Sequence, residues 1–476
     1  MMKYIHRKDV YVVAHYLGKI MQGVGMTILL PIIIALIYNE ATYLGFLIPS
    51  ILSLGLGTLL TKIEFKHPRV RLKHGMMISS LAWLWAGFIG ALVMLISLDI
   101  SFIDAFFENM SAWTGSGLTM FADVEILPKS ILFLRSLEQW VGGLGVVVIV
   151  IGILIRSGTA ADRLYKSEAR EERIKPSIAN TLNKTLQIYI AYTVIGIILF
   201  LIAGMPLFDS INNTFTAIST GGMSIKNLNL GYYNNYIYYA ISMFLMILGA
   251  TSFLIHYKSI KTKGIAIFKD IQFKAMVLLV TISFISIYLV TNLVPMDILF
   301  HIISAITTTG ANINTSAQTA LWSPFMKIVI IVLMIIGGSA GSTVGAVKLV
   351  RVIVIFKGFY HNIINIISPK GRVVTMKISN HVMKENEIKE ASSYVSLYLI
   401  FILFGWLVLV FYGYEPMNSL FEIVSVQGNV GLSTGISSPT LEPIIKIIMT
   451  FNMWIGRLEI VPVLVVIRSF LEIFKI

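Results

Sequence analysis

Crossing the hydrocarbon core of a bilayer as a helix takes roughly 20 consecutive apolar residues, and this chain offers runs of that length repeatedly, among them 12–38, 76–98 and 327–356. Charged residues supply only 13% of the 476, and the mean hydropathy is +0.82, against about a quarter charged in soluble domains. The chain reads as an all-α, multi-pass integral membrane protein, and an ordinary soluble enzyme is excluded. It contains no cysteine. Disulfides and thiolate chemistry are therefore excluded too, and stability must come from helix packing within the bilayer.

Apolar runs between charged breaks place ten spans, near 12–37, 42–60, 76–98, 132–155, 186–204, 235–257, 273–293, 325–356, 394–412 and 443–467. Between several of them lie four shorter apolar segments that close on Gly, Ser and Thr. Too short to cross, these read as re-entrant helices. The chain thus divides into an N-terminal two-span unit (1–75) and four pseudo-repeated span, pore-helix, span units (76–160, 161–265, 266–375 and 376–476) around one pore. The apolar run after the basic first nine residues is far longer than the roughly 7–15-residue core of a signal peptide, so the first span is expected to be retained.

With the N-terminus inside, the loops on the cytoplasmic side carry 30 of the 37 Lys and Arg. By the positive-inside rule both termini are then cytoplasmic, and the net charge of +13 needs no nucleic acid to explain it. The few aromatics of the basic loops do not form the interleaved stacking array that single-strand binding requires. Segment 156–185 mixes both signs at helical spacing, as a solvated surface helix or a docking surface for a cytosolic partner would, and 357–390 is a second candidate.

The short segments align on Gly117, Gly222, Gly310 and Gly431. Six residues before each glycine stands a hydroxyl: Ser111, Thr216, Ser304, Ser425. Thirteen before it stand Asp104, Asp209, Asp297 and Asn418, three of the eight Asp in the chain. Asp and Asn are preferred N-caps, so each copy is expected to start a short helix there and end it before a small, hydroxyl-rich loop. Such a helix turns the negative end of its dipole toward whatever lies beyond it, which favours a cation. Four loops around one axis would form a ring of carbonyls able to replace a cation's hydration shell. The loop residues are Thr114, Gly115, Ser116 and Gly117; Ser219, Thr220, Gly221 and Gly222; Thr307, Thr308, Thr309 and Gly310; and Gly428, Asn429, Val430 and Gly431. Close helix packing through small residues would explain one such segment, but not four in register. Because all copies run the same way, inverted-repeat transporters are disfavoured.

These residues resemble the Trk/Ktr/HKT superfamily of potassium transporters, in particular its TrkH/TrkG branch, over about residues 76–476. The preceding pair of spans resembles the extra N-terminal pair of that branch, and Gln139-Trp-Val-Gly-Gly-Leu-Gly145 looks like the start of its first inner helix. The resemblance implies potassium uptake at the bacterial plasma membrane, a homodimer of two independent pores, and control by a cytosolic nucleotide-binding RCK ring of the TrkA type. Potassium is the transported ion, and no organic cofactor on this chain is implied. Relatives with Ser at the first filter glycine favour sodium; Gly117 and its three counterparts imply a preference for potassium.

Two further features bear on gating. Arg457 lies near the middle of the last span, where a charge costs roughly 2.5–3.5 kcal/mol. It resembles the family's pore-facing arginine and is expected below the filter as a barrier to cations, the alternative being a structural tie to backbone carbonyls. The span 325–356 is 32 residues, about 48 Å as a helix against a core of about 30 Å, so a break is expected. Residues 337–345, with Gly337, Gly338, Ser339, Gly341 and Gly345, are expected to unwind under the filter as a gate, with Lys348 at its cytoplasmic end or snorkelling. Gly337-Gly-Ser-Ala-Gly341 also satisfies G-x-S-x-G, but without the strand-turn-helix setting or a His/Asp pair; no enzyme is expected. His301 in a pore helix reads as a packing or hydrogen-bonded residue. The acids Asp123, Glu125, Glu415 and Glu442 could concentrate cations or simply be solvated. Symport of potassium with sodium or protons is the alternative to passive conduction.

Overall fold

The computed structural model describes residues 7–63, 70–145, 178–369, 375–378, 381–383 and 385–473. Four outer helices, Leu72–Ser97, Ile178–Ile202, Ile271–Val290 and Glu385–Phe411, are each followed by a short pore helix: Phe102–Thr114, Leu207–Ile218, Pro295–Ile306 and Pro416–Gly428. Each pore helix leads through a loop to an inner helix: Lys129–Leu144, Tyr236–Ala250, Pro324–Ile336 and Pro443–Arg457. Proline punctuates the repeat. It stands just before the second pore helix and the first inner helix (Pro206, Pro128), and at the first turn of the third and fourth of both kinds, where its missing N–H leaves no bond unmade.

Among the described residues seven helices are long and apolar enough to cross a membrane, and a bent pair makes an eighth if it counts as one span. Large apolar side chains such as Ile202, Leu289 and Phe411 stand exposed on their outer faces, as lipid-facing residues do, whereas Trp83, Trp113, Phe107, Phe300 and Phe421 are fully buried around the pore helices. The N-terminal helices Arg7–Leu29 and Tyr43–Thr61 pack together and against the first outer helix. At their crossing a Cβ on Gly18 or Gly57 would fall 2.7 Å from the other's carbonyl oxygen, the close approach that small residues permit. Among the described residues the only strands are Lys377–Ile378 and His381–Val382, an antiparallel pair between the helix that ends at Ile367 and the fourth outer helix.

The inner spans correct an expectation. The segment 235–257 bends by 101° between Ala250 and Phe253, and 443–467 breaks between Arg457 and Val461. The third span breaks between Ile336 and Leu349, where a break was expected. The first inner helix ends at Leu144 with Gly145 at φ +88°, so Gln139–Gly145 closes that helix, which began at Lys129, rather than opening it. The expected continuation to 155, the docking segment up to 177 and the boundary between the first two repeats lie outside the described residues. Hydropathy reads these spans as continuous because both halves are apolar. The signal for the break is glycine: a Cβ on Gly142, Gly249 or Gly456 would strike the carbonyl of Trp113, Ile218 or Gln427, in each case four residues before the aligned glycine of its repeat (Gly117, Gly222 or Gly431).

Candidate functional site: a ring of four loops and the segment beneath it

The four loops share one backbone conformation. The glycine and the residue two before it have positive φ in every copy: Gly115 and Gly117 (+77°, +74°), Thr220 and Gly222 (+53°, +69°), Thr308 and Gly310 (+51°, +70°), Asn429 and Gly431 (+52°, +109°). The residues between and before them do not. Alternating the sign of φ turns successive carbonyls toward one side of the strand, the requirement for a filter built from backbone oxygens. Three of the four copies hold a side-chain-bearing residue in the left-handed region, at about 1–2 kcal/mol each, so the surroundings must enforce it.

The enforcement comes from the residue six before the glycine. The carbonyl of Ser111 accepts from the N–H of Ser116 and Gly117, that of Thr216 from Gly221 and Gly222, and that of Ser304 from Thr309 and Gly310. Ser425 accepts from Val430 through its carbonyl and from Gly431 through its hydroxyl. The hydroxyls of Ser111 and Ser304 also donate, at 2.7 Å, to the carbonyls of Leu118 and Ala311 just past the glycine.

The ring then closes on itself. A Cβ on Gly117 would strike the carbonyl of Gly221, one on Gly222 that of Thr309, and one on Gly310 that of Val430; on Gly431 it would lie 2.7 Å from the oxygen of Ser116. Each repeat leans on the next in the order one, two, three, four, one. Side-chain bonds reinforce this. Gln139 donates to the carbonyl of Gly221 at 2.6 Å and accepts from the N–H of Met223, and Asn429 donates to the hydroxyl of Ser116 at 2.9 Å. Within single loops Thr114 pairs with Ser116, and Thr307 with Thr309.

The residues expected as pore-helix caps stand elsewhere. Asp104, Asp209, Asp297 and Asn418 are all third residues of their helices, and the flanking positions are Ser101, Pro206, Val294 and Glu415. Ser101 and Glu415 do the capping, accepting from the N–H groups of Asp104 and of Met417 and Asn418 respectively. A carboxylate in the first turn still complements the helix dipole, which accounts for the shared register of Asp104, Asp209 and Asp297 without a cap. Two of the four also join repeats: Lys446 lies 2.5 Å from Asp104 Oδ1, and Lys327 donates to Asn418 Oδ1 at 2.7 Å. Both lysines are fourth residues of their inner helices.

Two site residues, Glu108 and Glu422, were not anticipated. Nine before the filter glycine stand Glu108, His301 and Glu422. Glu108 accepts from the Thr119 hydroxyl, the Met120 N–H and Arg135 Nε (2.8 Å). Glu422 accepts from the Ser433 hydroxyl and the N–H groups of Thr434 and Ser437. His301 pairs with Asn312 at 2.8 Å. Each ties a pore helix to the strand leaving its own loop. The equal offsets from the glycine, with a hydroxyl two residues after it in repeats one and four, were the signal in the sequence.

Beneath the ring, residues 337–348 run unwound. Gly337 ends the third inner helix at φ +70°, Gly338 accepts from Leu349 N–H, Ser339 donates its N–H to Ala250, and Gly341 accepts from Phe253 N–H. Gly345 N–H bonds the Thr308 hydroxyl at 3.2 Å, and the Thr343 hydroxyl lies 3.0 Å from that of Thr220. Arg457 donates to the carbonyls of Thr343 (2.9 Å), Gly142 (2.5 Å) and Gly143 (3.0 Å). Its charge sits under the ring and is at the same time held by carbonyls. Glu459, past the helix end at φ +59°, turns back to bind Lys348 at 2.5 Å and Arg351.

In the segment between the first pore helix and the first inner helix, Asp123 accepts from Asn227 of the next repeat and from Glu125 N–H, and these bonds, Asn227 first, hold its carboxyl below the ordinary carboxylate value. Glu125 pairs with Lys226, and Glu442 accepts from Tyr414.

The geometry defines a class, a membrane transport protein rather than an enzyme, and comparison with known proteins narrows it. A family profile described as "Cation transport protein", TrkH, matches residues 45–318 and 296–473. The chain is 42% identical to an uncharacterised cation transporter of Methanocaldococcus jannaschii, across 97% of this chain and 96% of that one. It is 28% identical to the Trk system potassium uptake protein TrkG of Escherichia coli, across 98% and 99%. The crystal structure of the potassium transporter TrkH from Vibrio parahaemolyticus superposes with a TM-score of 0.83 at 26% identity, covering 96% of this chain and 98% of that one. The chain belongs to the TrkH family of cation transporters.

Proposed function

We propose that the chain takes up potassium across the plasma membrane through a channel-like pore whose filter is the ring of four loops. The observation that carries this reading is the alternation of φ in all four copies around mutually contacting glycines, since it aims backbone oxygens inward without side chains in the way. Relatives named for potassium uptake support the choice of ion. The segment 337–345 acts as the gate: it hydrogen-bonds the hydroxyls of the filter residues Thr220 and Thr308 through Thr343 and Gly345. Arg457 adds a positive charge that opposes cations while the segment is in place.

The rest of the reading concerns assembly. The protein works as a homodimer, with both termini cytoplasmic, and a TrkA-like RCK nucleotide-binding ring docks on the cytoplasmic loops and moves the gate.

The test is ion flux in liposomes holding the purified chain, with potassium, rubidium and sodium gradients, with and without a pH gradient. Potassium and rubidium moving down their own electrochemical gradients is the expected result. Uphill potassium movement driven by sodium or protons would replace conduction with symport.

A further inference from the structure

Behind the ring, where outer, pore and inner helices meet, three repeats place a glycine of the outer helix against two side chains: Gly90 against Asn109 and Glu138, Gly196 against Thr214 and Leu245, and Gly405 against Ile423 and Asn452. The pore-helix member always stands eight residues before the filter glycine, and the inner-helix member is always the tenth of its helix. The third repeat has Ile302 and Leu333 at these positions, both buried. Leucine thus fills the inner-helix position in two repeats, so the fold does not require polarity there.

The first repeat nevertheless buries a carboxyl. Glu138 is 0% exposed, and the one side-chain donor among the described residues that faces it is the indole N–H of Trp113, which has no other partner. The amide of Asn109 is oriented by its Nδ2, which donates to the carbonyl of Ala105 at 2.7 Å and faces Met94 Sδ. Its Oδ1 is left partnerless, and both Oδ1 and Glu138 Oε1 crowd the point where a Cβ on Gly90 would stand. Two acceptors therefore converge in a water-poor site, which is unfavourable unless a positive centre lies between them.

The charged groups that act on Glu138 are Glu108 and Arg135. Arg135 is committed, through Nε to Glu108 and through another N–H to the carbonyl of Ser224. Charged residues on the second pore helix and the fourth inner helix, which pack on the same helices, are engaged elsewhere: Asp209 with Tyr233, and Lys446 with Asp104. A hard metal cation calls for more oxygens than the two present, typically six or so.

We propose that Glu138 carries a resident proton, its O–H donating to Asn109 Oδ1, and so forms a proton-binding site behind the first filter loop. The proton satisfies Asn109 Oδ1 and one Glu138 oxygen in one bond, leaving the other oxygen to the Trp113 N–H. Its loss leaves a bare charge beside Glu108, which holds the outgoing strand of that loop through Thr119 and Met120, so ionisation at high pH is expected to lower conduction.

The test is infrared spectroscopy of the full-length protein in membranes, in potassium and in sodium media, on wild type, Glu138→Gln and Glu138→Leu. The second variant copies Leu245 and Leu333 and keeps the test open if the first does not fold. A protonated-carboxyl C=O band present in wild type, absent from the variants and unchanged by exchanging potassium for sodium is the expected result. No difference between wild type and variants would show an ionised Glu138, and a band lost only in sodium would show a metal site; either overturns the proposal. The band is read without transport, so its outcome is separate from that of the proposed potassium uptake.

Discussion

The guanidinium of Arg457 donates to the carbonyl oxygen of Thr343 at 2.9 Å, and Thr343 in turn reaches the hydroxyl of Thr220 in the second filter loop. A fixed positive charge under the ring is thereby fastened to the segment that covers the ring's inner mouth. In the proposed pathway these are two obstacles to a leaving cation, one electrostatic and one steric, joined through a single residue pair.

Removing that charge should open the pathway. A hydrogen bond from a charged donor contributes about 1.5–3 kcal/mol, and each 1.4 kcal/mol is about tenfold in rate, so Arg457→Ala is expected to raise potassium flux by roughly tenfold or more. Arg457→Lys, which keeps the charge but not the fork that reaches three carbonyls, should fall between. Rubidium uptake into liposomes measures both, and an unchanged flux in Arg457→Ala would remove the residue from the gate.

Gly117→Ser addresses the filter itself. Gly117 has φ +74°, which a side chain tolerates at about 1–2 kcal/mol, and its Cβ would press on the carbonyl of Gly221 and lie 3.3 Å from Gly431 Cα. The ring has to shift outward to admit it. A distorted ring replaces the hydration shell of potassium less well, so sodium permeability should rise relative to potassium. An unaltered ratio in bi-ionic potential measurements would count against Gly117 as a filter residue.

The register of the loops was legible in the sequence because each repeated position has a backbone task. Glycine closes the ring, and the hydroxyl residue six before it sits where a carbonyl gathers the loop's N–H groups. The first-turn acid was visible but misplaced by three residues, since an N-cap and a third-position acid are both favoured by the same helix dipole. The breaks in the second and fourth inner spans were hidden by apolar residues on either side, and Gly249 and Gly456 mean little until the carbonyls they pack on are known. Arg457 was framed as facing the pore or bound to carbonyls. It is bound to carbonyls, which belong to helix ends and a loop that lie under the ring, and a pore-facing charge is the proposed reading of that placement.

Glu459→Gln tests the other end of the gate. Glu459 binds Lys348 and Arg351 at the point where the unwound segment re-enters helix. Loss of its charge should destabilise the protein by about 1–3 kcal/mol, less than the ~3–5 kcal/mol of a fully buried pair because the Arg351 end is partly open to solvent. The expected signature is a lower thermal midpoint and faster flux with the potassium-to-sodium ratio intact, since Glu459 pairs with Lys348 and Arg351 rather than with a loop of the ring. A changed ratio with normal stability would place Glu459 in the filter's support instead.

Glu108 and Glu422 occupy equivalent positions, yet their neutralisation should differ in cost. Glu422→Gln weakens bonds from hydroxyl and N–H donors, at about 1.5–3 kcal/mol. Glu108→Gln weakens the same kind of bonds and also strands Arg135, a guanidinium only 2% exposed. An uncompensated buried charge costs about 3–5 kcal/mol, so this variant should unfold at the lower temperature of the two. Both tie the outgoing strand of a loop to its pore helix, so both should also lower potassium selectivity. Thermal unfolding in detergent, read alongside sodium leak in liposomes, gives the order. If Glu422→Gln proved the less stable variant, Arg135 would have to find another anion, and Glu138 is the carboxyl positioned to supply it.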